Sequence, residues 1–220
     1  AVSATVEELR PIVEVIDGLV VANHNAPTQV VLSGSLEAVA AGRDALQRQG
    51  ITFKDLPVAT AFHSSLVSAS VEPFRQALQG VETRQPSLPV YAGSLAAPYP
   101  QQIVGLLAEQ IALPVRFVEQ IEAMYAAGAR VFLEVGPGSV LTGLIKRILE
   151  GRAHHAIAVD REGKHGLSGL HDALASLVAA GVAVDLSPLW APYPRAAAAP
   201  AQGETKMTLR LNGSNYGKPY

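Results

Sequence analysis

His63 stands in the run Thr60-Ala61-Phe62-His63-Ser64-Ser65, directly after an apolar stretch and before a helical pattern. The ends of strands in α/β proteins open onto crevices where chemistry is done. A neutral imidazole there can take a proton from a hydroxyl nucleophile and return it to a leaving group, which are the two proton transfers that acyl transfer needs. The competing reading is structural, with His63 capping the helix that follows. A serine transferase also needs its nucleophile on a sharp Gly-x-Ser-x-Gly turn. Ser33, Ser94, Ser139, Ser168 and Ser214 each adjoin a glycine, but none has glycine at both two-residue offsets. Gly166-Leu167-Ser168-Gly169-Leu170 comes nearest and fails at its last position.

The turn Glu134-Val135-Gly136-Pro137-Gly138-Ser139 invites comparison with phosphate cradles, whose backbone amides at a helix start bind anions. It lacks the Lys-Ser/Thr that would follow in a P-loop, so a structural turn is expected, with Glu134 capping or pairing internally. His154 and His155 are adjacent, and His165 and His171 lie six apart in a glycine-rich stretch, so none has metal-ligand spacing. His24 falls in hairpin composition. No metal site is expected.

Several elements must position these residues. Val6, Leu9, Val13 and Ile16 recur at helical spacing behind Thr5, a capping residue, and predict a helix over 6–16. Leu19–Ala22 and Gln29–Ser33 read as a strand pair around Asn-His-Asn-Ala-Pro-Thr, and Ser35 opens a helix over 36–49 that Gly50 closes. Ile51–Val58 reads as a further strand. With one more strand upstream this order gives a ferredoxin-like split β-α-β unit, and Ala1 and Val2 are what the sequence holds of that strand. Downstream, helices are expected over 66–78, 101–110, 117–127, 140–149 and 169–180, and strands over 86–94, 131–135 and 157–159. The stretch 182–190 is read as extended. Alternation of strand, glycine turn and helix from residue 131 onward is the pattern of a parallel sheet.

The expected fold class is therefore α/β: a ferredoxin-like small subdomain (1–58) followed by a parallel-sheet region. The stretch 191–220, of Ala, Pro and Gly-rich composition, is expected to be an extended arm. At 49% hydrophobic and 16% charged residues the chain carries enough apolar material for a core. A formal net charge of −2 offers no basic field for nucleic acid or an anionic membrane surface. Cysteine is absent, which removes thiol nucleophiles and disulfides and agrees with a reducing cytoplasm.

Four ordered segments carry a resemblance. Val21-Ala22-Asn23-His24-Asn25-Ala26-Pro27 with Gln29-Val30-Val31-Leu32-Ser33-Gly34, then Thr60-Ala61-Phe62-His63-Ser64, Pro114-Val115-Arg116-Phe117 and Phe132-Leu133-Glu134-Val135-Gly136-Pro137 together resemble the malonyl-CoA:acyl-carrier-protein transacylase family. The likeness is to the form found within polyketide and polyunsaturated-fatty-acid synthases. It spans roughly residues 3 to 150 and implies that 59–150 is the C-terminal part of an α/β-hydrolase-like parallel-sheet subdomain. Residues 151–190 are similar to the linker subdomain that follows such acyltransferases, and Leu211–Tyr216 is similar to the arm after the acyltransferase of polyunsaturated-fatty-acid synthases. The resemblance implies that His63 activates a serine and that the backbone carbonyl of Gln110 orients the imidazole. It implies that Phe62 fills the space of a 2-methyl branch, as in malonyl-selecting members, while Thr60 departs from both common versions of that motif. Asn23 lines the pocket or shapes the hairpin. Arg116 belongs to a different motif from the arginine that clamps the malonyl carboxylate.

The same resemblance implies no cofactor beyond the coenzyme A thioester substrate and the phosphopantetheine of an acyl carrier protein. It implies three partners: a segment bearing Gly-x-Ser-x-Gly, which would be the N-terminal half of the acyltransferase; the carrier protein; and an adjacent ketosynthase. Two rival readings use the same residues. One is an acyl-thioester hydrolase, and the other is a non-catalytic scaffold piece of a synthase whose arm docks the ketosynthase.

Overall fold

A computed structural model describes residues 1–58 and 60–193. The chain divides into two compact units, Ala1–Val182 and Ala183–Tyr220.

The first unit begins with a helix built as its sequence dictates. In α1 (Val6–Val15), Thr5 accepts from the Glu8 amide and the Glu8 carboxylate accepts from the Thr5 amide, a reciprocal capping box that satisfies two otherwise orphaned donors. β1 (Val20–Ala26) and β2 (Gln29–Ser33) pair antiparallel around Pro27-Thr28, and α2 (Leu36–Arg48) starts on the Ser35 hydroxyl. Gly50, at φ 68°, turns the chain out of α2 in a left-handed conformation that glycine adopts without a Cβ penalty. Val2 then bridges Val30 on one side and Phe53 on the other, antiparallel to both. Phe53, Val2, β2 and β1 thus lie side by side in the order of a ferredoxin-like sheet. Leu9, Ile12, Leu19, Val30 and Leu46 fill the core of that sheet and its two helices.

Two sequence expectations change here. Ile51–Val58 does not form a strand: its pairing is confined to the bridge of Phe53 to Val2, with the Ser3 amide on the Thr52 carbonyl and the Lys54 amide on that of Ala1. β1 instead runs four residues past its expected end. Asn23 and His24 find Val31 and Val30 on one edge and Val115 on the other, a long-range partner that the local composition does not advertise.

A 3₁₀ turn (Ser65–Ser70) leads into α3 (Val71–Gln79), where a continuous helix was expected. The proline-punctuated stretch 86–94 yields two strand residues, β3 (Tyr91–Ala92), paired with β4 (Ala97–Pro98), because Pro86 and Pro89 have no amide to donate to a ladder. α4 (Ile103–Glu109) and α5 (Phe117–Ala126) follow. β5 (Val131–Glu134) and β6 (His155–Ala158) pair in parallel across α6 (Val140–Ile148), and α7 (Gly166–Ala179) packs on β6. Ile121, Phe132, Ile145, Ile148 and Leu149 form a second core. At its rim the Tyr125 ring lies under the guanidiniums of Arg130 and Arg152, at 3.7 and 4.8 Å.

β6 extends the sheet that β5 begins, and the compact unit continues to Val182. In the second unit the stretch read as extended ends in a short helix, α8 (Ser187–Trp190), with Pro188 in its first turn and the Ser187 amide donating to Asp185. Of the expected arm 191–220, only 191–193 falls within the described residues.

The glycine turn after β5 is structural. Glu134 Oε1 accepts from the Leu141 amide at 3.1 Å, and its Oε2 accepts from the Thr142 amide and hydroxyl, both at 2.7 Å. The carboxylate occupies the start of α6, where an anion would otherwise sit. Gly138, at φ 89°, makes the turn tight enough for this. Burial alone would raise the Glu134 carboxyl, but the bonds from Thr142, Leu141 and Val140 outweigh it and hold the group below the usual glutamate range. The unfolded chain therefore takes up this proton first as pH falls, and the stabilisation, present above the ordinary glutamate range, is lost as pH drops through the depressed folded value. Glu134→Gln is predicted to destabilise the chain by about 1 kcal/mol at neutral pH, the scale of a lost helix cap. Thermal unfolding of both proteins should show that gap closing as pH falls below the ordinary glutamate range. A gap independent of pH would mean that the charge of Glu134 contributes nothing.

Candidate active site around His63

His63 is held by three backbone carbonyls of one turn. Its amide donates to Ile111 at 3.0 Å, and its ring Nδ1 lies 3.2 Å from the carbonyl of Gln110 and 2.9 Å from that of Leu113. Carbonyls only accept, so Nδ1 carries the proton and, in the neutral ring, Nε2 keeps its lone pair. The backbone of His63 is left-handed, at φ 59°, a conformation that a non-glycine residue adopts at a cost of about 1 kcal/mol or more. The same three bonds hold it there. Ser64, not His63, caps the following 3₁₀ turn: its hydroxyl accepts from the Leu66 amide and donates to the Ala61 carbonyl.

The acceptor turn is where α4 ends. Gln110 closes α4, the Ala112 and Leu113 amides fold back onto the Glu109 carbonyl, and Pro114 stops the helix. From there the chain runs extended and is tied to its surroundings. The Val115 amide donates to Ala22, its carbonyl accepts from His24, and the Arg116 amide donates to Gly93. His24 Nδ1 also lies 3.2 Å from Glu119 Oε1 at the start of α5, so β1, α5 and the acceptor turn are fixed together.

A cavity of about 280 Å³ is lined by His63, Ser94, Gln110, Ile111, Leu113 and Val115 among others. The residues singled out from the sequence are spread around it. His63 and Gln110 meet directly. Phe62 is 54% exposed, with its ring centroid 6.5 Å from that of His63. Thr60 lines a separate, larger cleft of about 630 Å³ beside Leu36, Val39 and Leu66. Asn23 lines neither cavity and pairs through its backbone with Val115. Arg116 stands 3.9 Å from Glu119. Leu113 is the site residue that sequence reasoning missed, and Leu113-Pro114 was its signal: a residue before proline leaves the helix, which frees its carbonyl from the helical ladder. Among the described residues, no group of three or more His, Asp and Glu side chains could hold a metal ion, and no helix is long and apolar enough to cross a membrane.

Comparison with known proteins gives this geometry a family. The sequence model described as "Acyl transferase domain" matches residues 1–184. The chain belongs to the acyl transferase domain family. The chain is 30% identical over 198 residues to a polyunsaturated fatty acid synthase polypeptide of Thraustochytrium sp. (strain ATCC 26185 / S-3), covering 88% of this chain and 7% of that protein. It is 33% identical over 130 residues to the malonyl CoA-acyl carrier protein transacylase of Bacillus subtilis (strain 168), covering 58% of this chain and 41% of that protein. The acyltransferase domain from the second module of the salinomycin polyketide synthase superposes with a TM-score of 0.80 at 29% identity, over 87% of this chain and 46% of that one. The malonyl CoA-acyl carrier protein transacylase from Clostridium perfringens superposes with a TM-score of 0.74 at 28% identity, over 82% of this chain and 56% of that one. The acyl transferase chain thus spans about half the length of these two solved relatives, and the mixed α/β fold is theirs.

Because both acceptors of the His63 ring are carbonyls, nitrogen-15 spectra of a histidine-labelled acyl transferase chain should show the neutral His63 ring protonated on Nδ1. Protonation on Nε2 would contradict the hydrogen-bond geometry.

Proposed function

We propose that this chain supplies the histidine arm of a malonyl transferase within a fatty-acid or polyketide synthase. The observation that carries the reading is the holding of His63 Nδ1 by the Gln110 and Leu113 carbonyls, which leaves Nε2 as a proton acceptor. No Gly-x-Ser-x-Gly occurs among the 220 residues, so the nucleophile is assigned to a segment outside them. As the serine oxygen attacks the malonyl thioester, His63 takes its proton and then returns one to the departing coenzyme A sulfur. In the second half-reaction His63 takes the proton of the carrier's phosphopantetheine thiol, which attacks the ester, and gives it back to the serine. The two carbonyls stabilise the imidazolium at each stage, in the place a carboxylate holds in a Ser-His-Asp triad. No redox or electron-sink chemistry enters, so no cofactor is required. The carrier protein and a neighbouring ketosynthase are the proposed partners, and the cytoplasm the proposed location.

With the serine-bearing segment supplied, His63→Ala is expected to slow acylation roughly 10²- to 10⁴-fold, the usual contribution of a positioned base. Gln110→Ala keeps the backbone carbonyl and should stay within about tenfold of wild type, a side-chain bond being worth about 1 kcal/mol. Equal losses in the two folded variants would rule out the carbonyl assignment. The chain without that segment is expected to transfer no malonyl group.

Phe62 is the proposed gate against a 2-methyl branch, since its ring stands beside that of His63. Phe62→Ser should shift the ratio of kcat/KM for methylmalonyl over malonyl upward by about tenfold or more, as removing bulk opens space for one methyl. An unchanged ratio would place Phe62 away from the acyl group.

A further inference from the structure

The turn that holds His63 is itself held by the short β3–β4 hairpin. Tyr99 follows β4 directly and is fixed by its amide, which donates to Val90 at 2.8 Å. Its half-buried phenol donates to Gln110 Oε1 at 2.9 Å. The turn of the same hairpin accepts, through the Gly93 carbonyl, from the Arg116 amide at 2.9 Å. The hairpin therefore grips the segment that presents the acceptor carbonyls at both ends, Gln110 before it and Arg116 after it. Elsewhere α4 packs on α3, where Glu109 meets the half-buried Arg75 at 3.1 Å.

The distances make this restraint matter. Leu113 accepts from His63 at 2.9 Å, well inside the usual range, whereas Gln110 accepts at 3.2 Å, at its outer edge. A displacement of a few tenths of an ångström at Gln110 therefore decides whether the ring proton is shared between two carbonyls or held by one. We propose that Tyr99 is a positioning residue, whose hydroxyl, by holding the Gln110 side chain, keeps the Gln110 carbonyl within reach of the His63 ring. Desolvation raises the Tyr99 phenol above its ordinary range, so it remains a donor throughout the working pH range. The role of Tyr99 rests on the reading of His63 as the base.

The test uses the intact acyltransferase with its serine-bearing segment and malonyl-coenzyme A as donor. Tyr99→Phe removes one oxygen and should lower kcat for serine acylation about threefold to tenfold, with KM unchanged, the effect of losing one hydrogen bond that acts on the base. Gln110→Leu, which removes the acceptor but keeps the backbone carbonyl, should cost about as much, and the double variant no more than either. A readout independent of turnover is the rate at which diethyl pyrocarbonate modifies His63, followed by mass spectrometry of the peptide that carries it. An Nδ1–H donated to carbonyls makes Nε2 more nucleophilic, so with that bond weakened this rate should fall about twofold to fivefold in Tyr99→Phe. Wild-type values of both kcat and modification rate in Tyr99→Phe would overturn the proposal, as would losses that multiply in the double variant. Absence of malonyl transfer in the wild type would instead count against the malonyl reading, while the modification rate would still decide the role of Tyr99.

Discussion

The structure around the site depends on one residue satisfying three carbonyls that the end of a helix leaves free. A chain leaving a helix presents carbonyls without helical partners, and in the turn that follows α4 those of Gln110, Ile111 and Leu113 are taken up by the amide and ring of His63. This exchange fixes the tautomer of the imidazole and holds a left-handed backbone that would be strained if free. It also makes the position of the histidine a property of residues almost fifty places along the chain.

That dependence explains why so much of the surrounding structure converges on residues 113–116. Pro114 ends the helix, Val115 joins the edge of β1, and Arg116 bonds the hairpin turn at Gly93. The ferredoxin-like sheet and the second core each have apolar interiors of their own, and between them run the backbone bonds of Val115 with Ala22 and His24 and the side-chain bonds of Arg147 to Thr28 and Gln29. Backbone bonds suit this task because their geometry does not depend on a side-chain rotamer. His24 and Glu119 add a side-chain bond to the same junction.

An acyl transferase of this design orients its histidine with backbone rather than with a buried carboxylate. Two neutral carbonyls stabilise an imidazolium less than a carboxylate does, but they carry no desolvation penalty of a buried charge and cannot become protonated. Acceptor geometry is then the variable that matters, and the supports of the acceptor turn become part of the site. The Tyr99 hydroxyl reaches the turn through Gln110 without touching the ring. Such a residue is invisible to a search for titratable groups near the histidine.

Local patterns were legible where the physics is local. Thr5, Ser35 and Gly50 mark the ends of α1 and α2 because caps and left-handed turns act over three or four residues, and Glu134 was legible as an internal cap because its turn lacks a phosphate-binding lysine. The α/β class likewise follows from residue types and spacing, whereas the histidine motif comes from resemblance to a family. Tertiary structure alone decided the rest. Residues 51–58 pair only through the bridge of Phe53 to Val2, while β1 gained length because Val115 lies beside it. Leu113 became an acceptor of the His63 proton, and Thr60 and Asn23 were placed outside the cavity that His63 lines. The sequence determines which groups can cap, turn or accept within a few residues; which carbonyl reaches which ring across fifty residues is set only when the helix ends, strands and hairpin are packed together.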